Sequence, residues 1–321
     1  MAMFDLPPDR LESYLSPIPE PEEFDAFWQE TLADVRSHDL AATYEPIDVG
    51  LRAQDVYDVT FAGFGGQPIR AWLLVPKHRD GPVPCVVEYI GYGGGRNFAT
   101  NHTLISSAGF AHFVMDTRGQ GSAWSKGATA DAGANGEPQV PGFLTRGLSS
   151  PYEHYYRRVF SDAVRAVEAA RNHPDVDGRI IATGGSQGGG ITLAVAGLVD
   201  DLTGIWAGQP FLCHYERAVA ITDALPYSEL TAWLKQHQDL VETAFNTLAY
   251  VDGVNFSKRA TAPARFTVGL MDSTCPPSTV YAAYNVYAGE KQMHRYDFNG
   301  HDGGGAFGVQ ARLDWLHEML D

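Results

Sequence analysis

The chain has 321 residues, 44% of them hydrophobic and 19% charged, which suits a folded protein with a sizeable core and excludes a disordered or low-complexity one. Its formal net charge of −16 repels polyphosphate and anionic lipid, so no nucleic acid and no membrane is expected as a partner. Cys85, Cys213 and Cys275 are odd in number and widely spaced, neither a disulfide framework nor a zinc pattern, and the expected setting is the reducing cytoplasm.

The opening residues carry Asp5, Asp9 and Glu12 with no basic end leading into an apolar run, so they are not expected to be a signal peptide. After a proline-rich start, Phe24, Phe27, Trp28 and Leu32 recur at helical spacing and predict a helix over Pro21–Val35. Asp55–Ala62 and Ile69–Val75 alternate like strands around the turn Gly63-Phe64-Gly65-Gly66, which predicts a β-hairpin. From Pro84 the pattern changes to short apolar runs: Cys85–Ile90, Phe110–Asp116, Arg179–Thr183, Ile205–Ala207 and Ala264–Leu270. Such runs fit strands buried on both faces of a parallel sheet. Helical stretches lie between them, clearest in Tyr152–Arg171 and Gln187–Val199. Strand–helix alternation predicts an α/β fold with a doubly wound, mostly parallel sheet. We read one domain over 1–321, with an N-terminal extension (1–54) that is helical and leads into the hairpin, and a helical insertion (212–256) that caps the carboxyl ends of the strands.

The strongest motif is Gly184-Gly185-Ser186-Gln187-Gly188, a G-x-S-x-G match with strand Arg179–Thr183 before it and a helical stretch after it. Small residues around the serine leave room for a sharp strand-to-helix turn that presents its hydroxyl above an α/β-hydrolase sheet. In that fold an acid and then a histidine follow in chain order. Met271-Asp272 leaves the late strand Ala264–Leu270, whereas Asp252 and Asp297 follow no such buried strand. His301 lies in the glycine-rich loop after the short strand Arg295–Phe298; His317 falls on a terminal helix, and His294 precedes that strand at its wrong end. Ser186, Asp272 and His301 are therefore the expected nucleophile, acid and base. Acyl transfer also needs N–H donors for the developing oxyanion. One is expected from Gln187, the residue after the nucleophile, and another from the loop Gly91–Arg96 after strand Cys85–Ile90.

Arg118-Gly119-Gln120, the motif around Ser186 and His301-Asp302 together resemble the signature of carbohydrate esterase family 7, the acetyl xylan esterases and cephalosporin C deacetylases. Tyr89–Tyr92, Val114–Ser122, Tyr155–Phe160, Pro210–His214 and Cys275–Thr279 extend the resemblance over nearly the whole chain. It implies Ser186, Asp272 and His301 as the triad, with the backbone N–H groups of Tyr92 and Gln187 as the oxyanion hole. It implies Arg118 and Gln120 as structural braces of the site loops, and a hexamer with its sites facing an inner chamber. The family has Glu after the histidine where this chain has Asp302. The activity implied is deacetylation of short acetylated xylo-oligosaccharides and of small acetyl esters such as cephalosporin C. Tyr92, Phe211 and Pro226, with Trp124, are expected to restrict the acyl pocket. A prolyl-oligopeptidase-like peptidase shares the triad order, but the chain leaves no room for a propeller; a catalytically dead scaffold would usually have lost a triad member. No cofactor and no metal are expected, because no ligand cluster is legible. Phe24, Phe27 and Trp28, with Tyr227, Trp233 and Phe245 of the insertion, read as apolar surface left over for a homo-oligomeric interface.

Overall fold

A computed structural model of the chain describes residues 3–131 and 137–321. Among them, one nine-stranded sheet runs in the order β1-β2-β3-β5-β4-β6-β7-β8-β9. The strands are β1 (Thr43–Pro46), β2 (Gln54–Ala62), β3 (Pro68–Pro76), β4 (Val83–Tyr89), β5 (Ala111–Met115), β6 (Val176–Gly185), β7 (Gly204–Gly208), β8 (Ala264–Gly269) and β9 (Lys291–Tyr296). The first three pair antiparallel, and β3 meets β5 antiparallel. From β5 to β9 every pairing is parallel. Val86, Val87, Phe113, Val114, Ile180 and Ile181 of β4, β5 and β6 are fully buried because helices cover both faces. This is the α/β-hydrolase fold.

The topology places the site before any side chain is considered. Strand β4 is followed by β5 on one side, while its other neighbour β6 is followed by β7 on the far side. The direction of winding reverses between β4 and β6, and a crevice opens outside their carboxyl ends. Their register pairs Tyr89 with Gly184, so the loop after β4 and the turn after β6 emerge side by side.

Three expectations are corrected. The aromatics of the helix Phe24–Arg36 are not left open: Phe24, Phe27 and Trp28 are 1%, 2% and 2% exposed. They pack on Phe160, Tyr250 and Phe256, and the Trp28 indole N–H donates to the Tyr250 carbonyl at 2.9 Å. Within the insertion Tyr227 is fully buried, and Trp233 and Phe245 pack partly buried on the same core. The chain covers these residues with itself, because the insertion's own helices supply the missing wall. Second, β9 starts at Lys291 and ends at Tyr296, so His294 lies inside the strand rather than before it. Third, an edge strand, β1, precedes the hairpin.

Residues 212–256 fold as helices Tyr215–Ile221, Tyr227–Gln236, Val241–Ala249 and Gly253–Ser257, between β7 and β8. The extreme N-terminal segment straps onto the last third of the chain. The Asp5 carboxylate accepts the Ser278 N–H at 2.7 Å, and the Asn285 side-chain amide donates to the carbonyls of Leu11 and Tyr14. Among the described residues no helix is long and apolar enough to cross a membrane.

Candidate active site

Ser186 stands between β6 and the helix Gln187–Leu198 with φ 58° and ψ −121°, a conformation that costs a side-chain-bearing residue about 1–3 kcal/mol. The surroundings impose it. The Ser186 N–H donates to the Gly208 carbonyl at 2.9 Å, and its own carbonyl accepts the Phe211 N–H at 2.9 Å. A Cβ at Gly184 would lie 2.4 Å from the Gly188 backbone, and one at Gly188 would lie 2.1 Å from the Tyr89 carbonyl oxygen. The glycines thus let helix, β6 and β4 close up beneath the serine.

The Asp272 carboxylate is fully buried three residues beyond β8. One oxygen accepts the N–H groups of Thr274 and Cys275 at 2.8 and 2.9 Å, and the other meets His301 Nδ1 at 2.8 Å. With the carboxylate as acceptor, Nδ1 carries the proton and Nε2 is left as the basic nitrogen. The His301 side chain is 31% exposed, so one edge of the ring stays open. The sulfur of Cys275 completes the cluster: Asp272, Cys275 and His301 bring donor atoms within 4.8 Å of one another. Burial pushes the Cys275 thiol well above its ordinary range, and the Ser186 hydroxyl beside it acts in the opposite sense. Through that thiol the serine, acid and imidazole share one locality. The expectation that no ligand-type cluster exists is corrected by these three groups. Their donor atoms are already engaged: the acid and imidazole bond each other, and burial keeps the thiol protonated.

The alternatives are occupied elsewhere. Asp252 caps the helix Gly253–Ser257, accepting the N–H groups of Val254 and His214. Asp297 pairs with Arg295, and His317 pairs with Asp321 on the terminal helix. Asp302 is exposed and accepts from the Asn299 amide at 2.8 Å.

Gln187 opens its helix, so its N–H is one of the first-turn donors with no carbonyl partner inside the helix. Its buried side chain works behind the site: Oε1 accepts from Gln120 Nε2 at 2.7 Å and from the Tyr156 hydroxyl at 2.8 Å, and Nε2 donates to the Ile90 carbonyl at 2.9 Å. Gln120 Oε1 accepts the Gly93 N–H at 2.7 Å. Two glutamines therefore lock the turn after β6 to the loop after β4. Arg118 is buried and grips Asp162 with two nitrogens while its third donates to Gln67. Tyr92 is half-buried, its carbonyl accepting the Trp124 indole N–H at 2.8 Å, and Trp124 is itself 63% exposed. Phe211 and Pro226 are buried. Phe211 has no open face: it stands edge-on to Tyr92 and Tyr227, so it supports the pocket from behind. The sequence reading missed Glu229, which accepts the Tyr92 hydroxyl, and missed Cys275 as a neighbour of the triad residues.

With this geometry in place, the comparisons with known proteins are decisive. The acetyl xylan esterase (AXE1) family profile matches residues 1–319. The chain belongs to the acetyl xylan esterase family. That family comprises carboxylic ester hydrolases. An acetyl xylan esterase from Paenibacillus sp. R4 superposes with a TM-score of 0.89 at 34% identity, over 98% of this chain and all of its own. Acetyl xylan esterase 1 from Thermoanaerobacterium sp. JW/SL YS485 gives 0.89 at 31%, over 99% and 100%. Acetyl esterase Axe7A of Xylanibacter ruminicola is 28% identical over 302 residues, 92% of this chain; the chain spans 66% of that relative's length. An acylaminoacyl peptidase of Pyrococcus horikoshii, 18% identical with a TM-score of 0.61 over 84% of this chain and 42% of its own, shares the fold alone.

Proposed function

We propose that this chain is a serine esterase that removes acetyl groups from short acetylated xylo-oligosaccharides and from small acetyl esters, cephalosporin C included. The observation that carries the reading is His301 Nδ1 bonded to the buried Asp272 beside a serine held at an elbow. His301 Nε2 takes the Ser186 proton as the hydroxyl attacks the acetyl carbonyl and returns it to the departing sugar alcohol. Water, activated by the same imidazole, then releases acetate. The N–H groups of Tyr92 and Gln187 receive the oxyanion in both steps. Asp272 holds the productive tautomer and balances the charge that forms on the ring. Gln120 and Gln187 keep the two donor-bearing segments in register, and Arg118 braces the stretch before Gln120 against Asp162.

Tyr92 and the exposed Trp124 bound the acyl side, so the pocket suits acetate better than long chains. The chain acts as one unit in which residues 212–256 cap the site, within a cytoplasmic homohexamer whose chamber admits oligosaccharides rather than polymer. The test is hydrolysis of p-nitrophenyl acetate, butyrate and octanoate and of acetylated xylo-oligosaccharides by the native protein and Ser186→Ala. Activity should decline steeply beyond two or three carbons. The variant should lose about a thousandfold or more while its melting temperature stays native. A folded Ser186→Ala protein of near-normal activity sinks the reading.

A further inference from the structure

Tyr92 is held at its side chain as tightly as at its backbone, and the holder lies 137 residues away on the inserted segment. Its hydroxyl donates to Glu229 Oε2 at 2.6 Å. The same oxygen accepts three backbone N–H groups, from Gly142 at 3.3 Å, Phe143 at 2.8 Å and Leu144 at 3.2 Å. Three donors converging on one phenol oxygen polarise it, which strengthens the bond its proton makes to a carboxylate. The ring stands edge-on between Phe143 and Phe211, at centroid distances of 5.7 and 5.9 Å. On the backbone side Trp124 holds the Tyr92 carbonyl and Gln120 holds the next N–H, that of Gly93. Glu229 is half-buried on the helix Tyr227–Gln236; burial pushes its carboxyl above the usual range, and the Tyr92 hydroxyl opposes that shift.

A carboxylate taken out of water for one phenol fixes that phenol in place. We infer that Glu229 is a positioning residue for the reaction: through the Tyr92 hydroxyl it anchors the loop after β4 to the inserted helices and so sets where the Tyr92 N–H points. The inference rests on the reading of that N–H as an oxyanion donor. It gives the insertion a part in the chemical step, through one hydrogen bond, in addition to covering the site.

The test uses the full chain and p-nitrophenyl acetate with Glu229→Ala, Glu229→Gln, Tyr92→Phe, the Tyr92→Phe/Glu229→Ala double variant and Ser186→Ala. In Glu229→Ala kcat should fall about ten- to a hundredfold, the scale of a small misplacement of a catalytic group, with KM within about twofold. Glu229→Gln keeps an acceptor oxygen and should restore most of kcat. Tyr92→Phe removes that bond together with the three backbone contacts to the hydroxyl, so it should cost at least as much as Glu229→Ala, and the double variant should be no worse than Tyr92→Phe alone. Native kcat in folded Glu229→Ala, or losses that multiply in the double variant, would overturn the inference. If Glu229→Ala does not fold, Glu229→Asp beside Tyr92→Phe makes the same comparison. An active Ser186→Ala protein overturns the esterase reading and this inference with it. An inactive Ser186→Ala protein beside a fully active Glu229→Ala protein overturns this inference alone.

Discussion

Asp272 spends one oxygen on two backbone N–H groups and the other on His301 Nδ1, so its two faces have different duties. Asp272→Asn is the informative change. The amide oxygen can still accept from Thr274 and Cys275, and the amide nitrogen then faces the ring. His301 must present Nδ1 as acceptor, Nε2 carries the proton, and the serine loses its base. We expect kcat to drop by about 10⁴ with the melting temperature nearly unchanged, by rapid-mixing kinetics and calorimetry. A loss below about tenfold would remove Asp272 from the triad. At this scale the sequence was informative where chemistry is tied to local backbone. Ser186 is legible because small residues crowd around it, and His301 because it follows a strand in a glycine-rich loop. Glu229 was not legible, since a carboxylate on a helix ordinarily faces water and only tertiary packing brings it to Tyr92.

Elements meet most closely where glycine stands in for a side chain. Gly188→Ala would drive a methyl into the Tyr89 carbonyl, so the helix Gln187–Leu198 must retreat from β4. We expect a destabilisation of about 1–3 kcal/mol, seen as a lower melting temperature, together with a lower kcat because both donor-bearing segments shift. Native values for both would mean the contact is slack. The helix Tyr155–Arg171 offers a pH test. His154 caps it with Nδ1 facing the Tyr156 N–H, and burial lowers its pKa to about 4. His214, buried beside Tyr14, is likewise lowered to about 4. Both bind protons more readily when unfolded, so their contribution is complete above pH about 6.5 and disappears as pH falls towards 4. Melting temperature should fall across that window, and less so in His154→Asn, where a similar amide caps without titrating. An equal fall in the variant would clear His154. The central strands were legible because burial on both faces forces unbroken apolar runs. β1 and β9 were missed or misplaced because edge strands face water and their residues, Lys291-Gln292-Met293-His294-Arg295-Tyr296 for β9, carry little apolar signal.

For the whole molecule, the reading of leftover aromatic surface fails, since the chain buries Phe24, Phe27 and Trp28 on itself. The large aromatic side chains it does leave open include Phe298 and Phe307, 82% and 84% exposed, on either side of the His301 loop. The proposed hexamer therefore stands on family membership. Light scattering at micromolar protein should give six times the chain mass of 35.0 kDa. A mass of one chain would refute the hexamer and the chamber argument for oligosaccharide preference.

The strap from Asp5 to Ser278 joins residues 273 positions apart. A ribosome delivers the first long before the second. The N-terminal segment must therefore wait, undocked, while β8, the Asp272 loop and the chain up to Ser278 and Asn285 are still being made. Such long-range closure makes folding slow and keeps apolar residues such as Leu11 open in the nascent chain, where chaperones act. The same staple closes on the region that carries the acid only once Ser278 has been made.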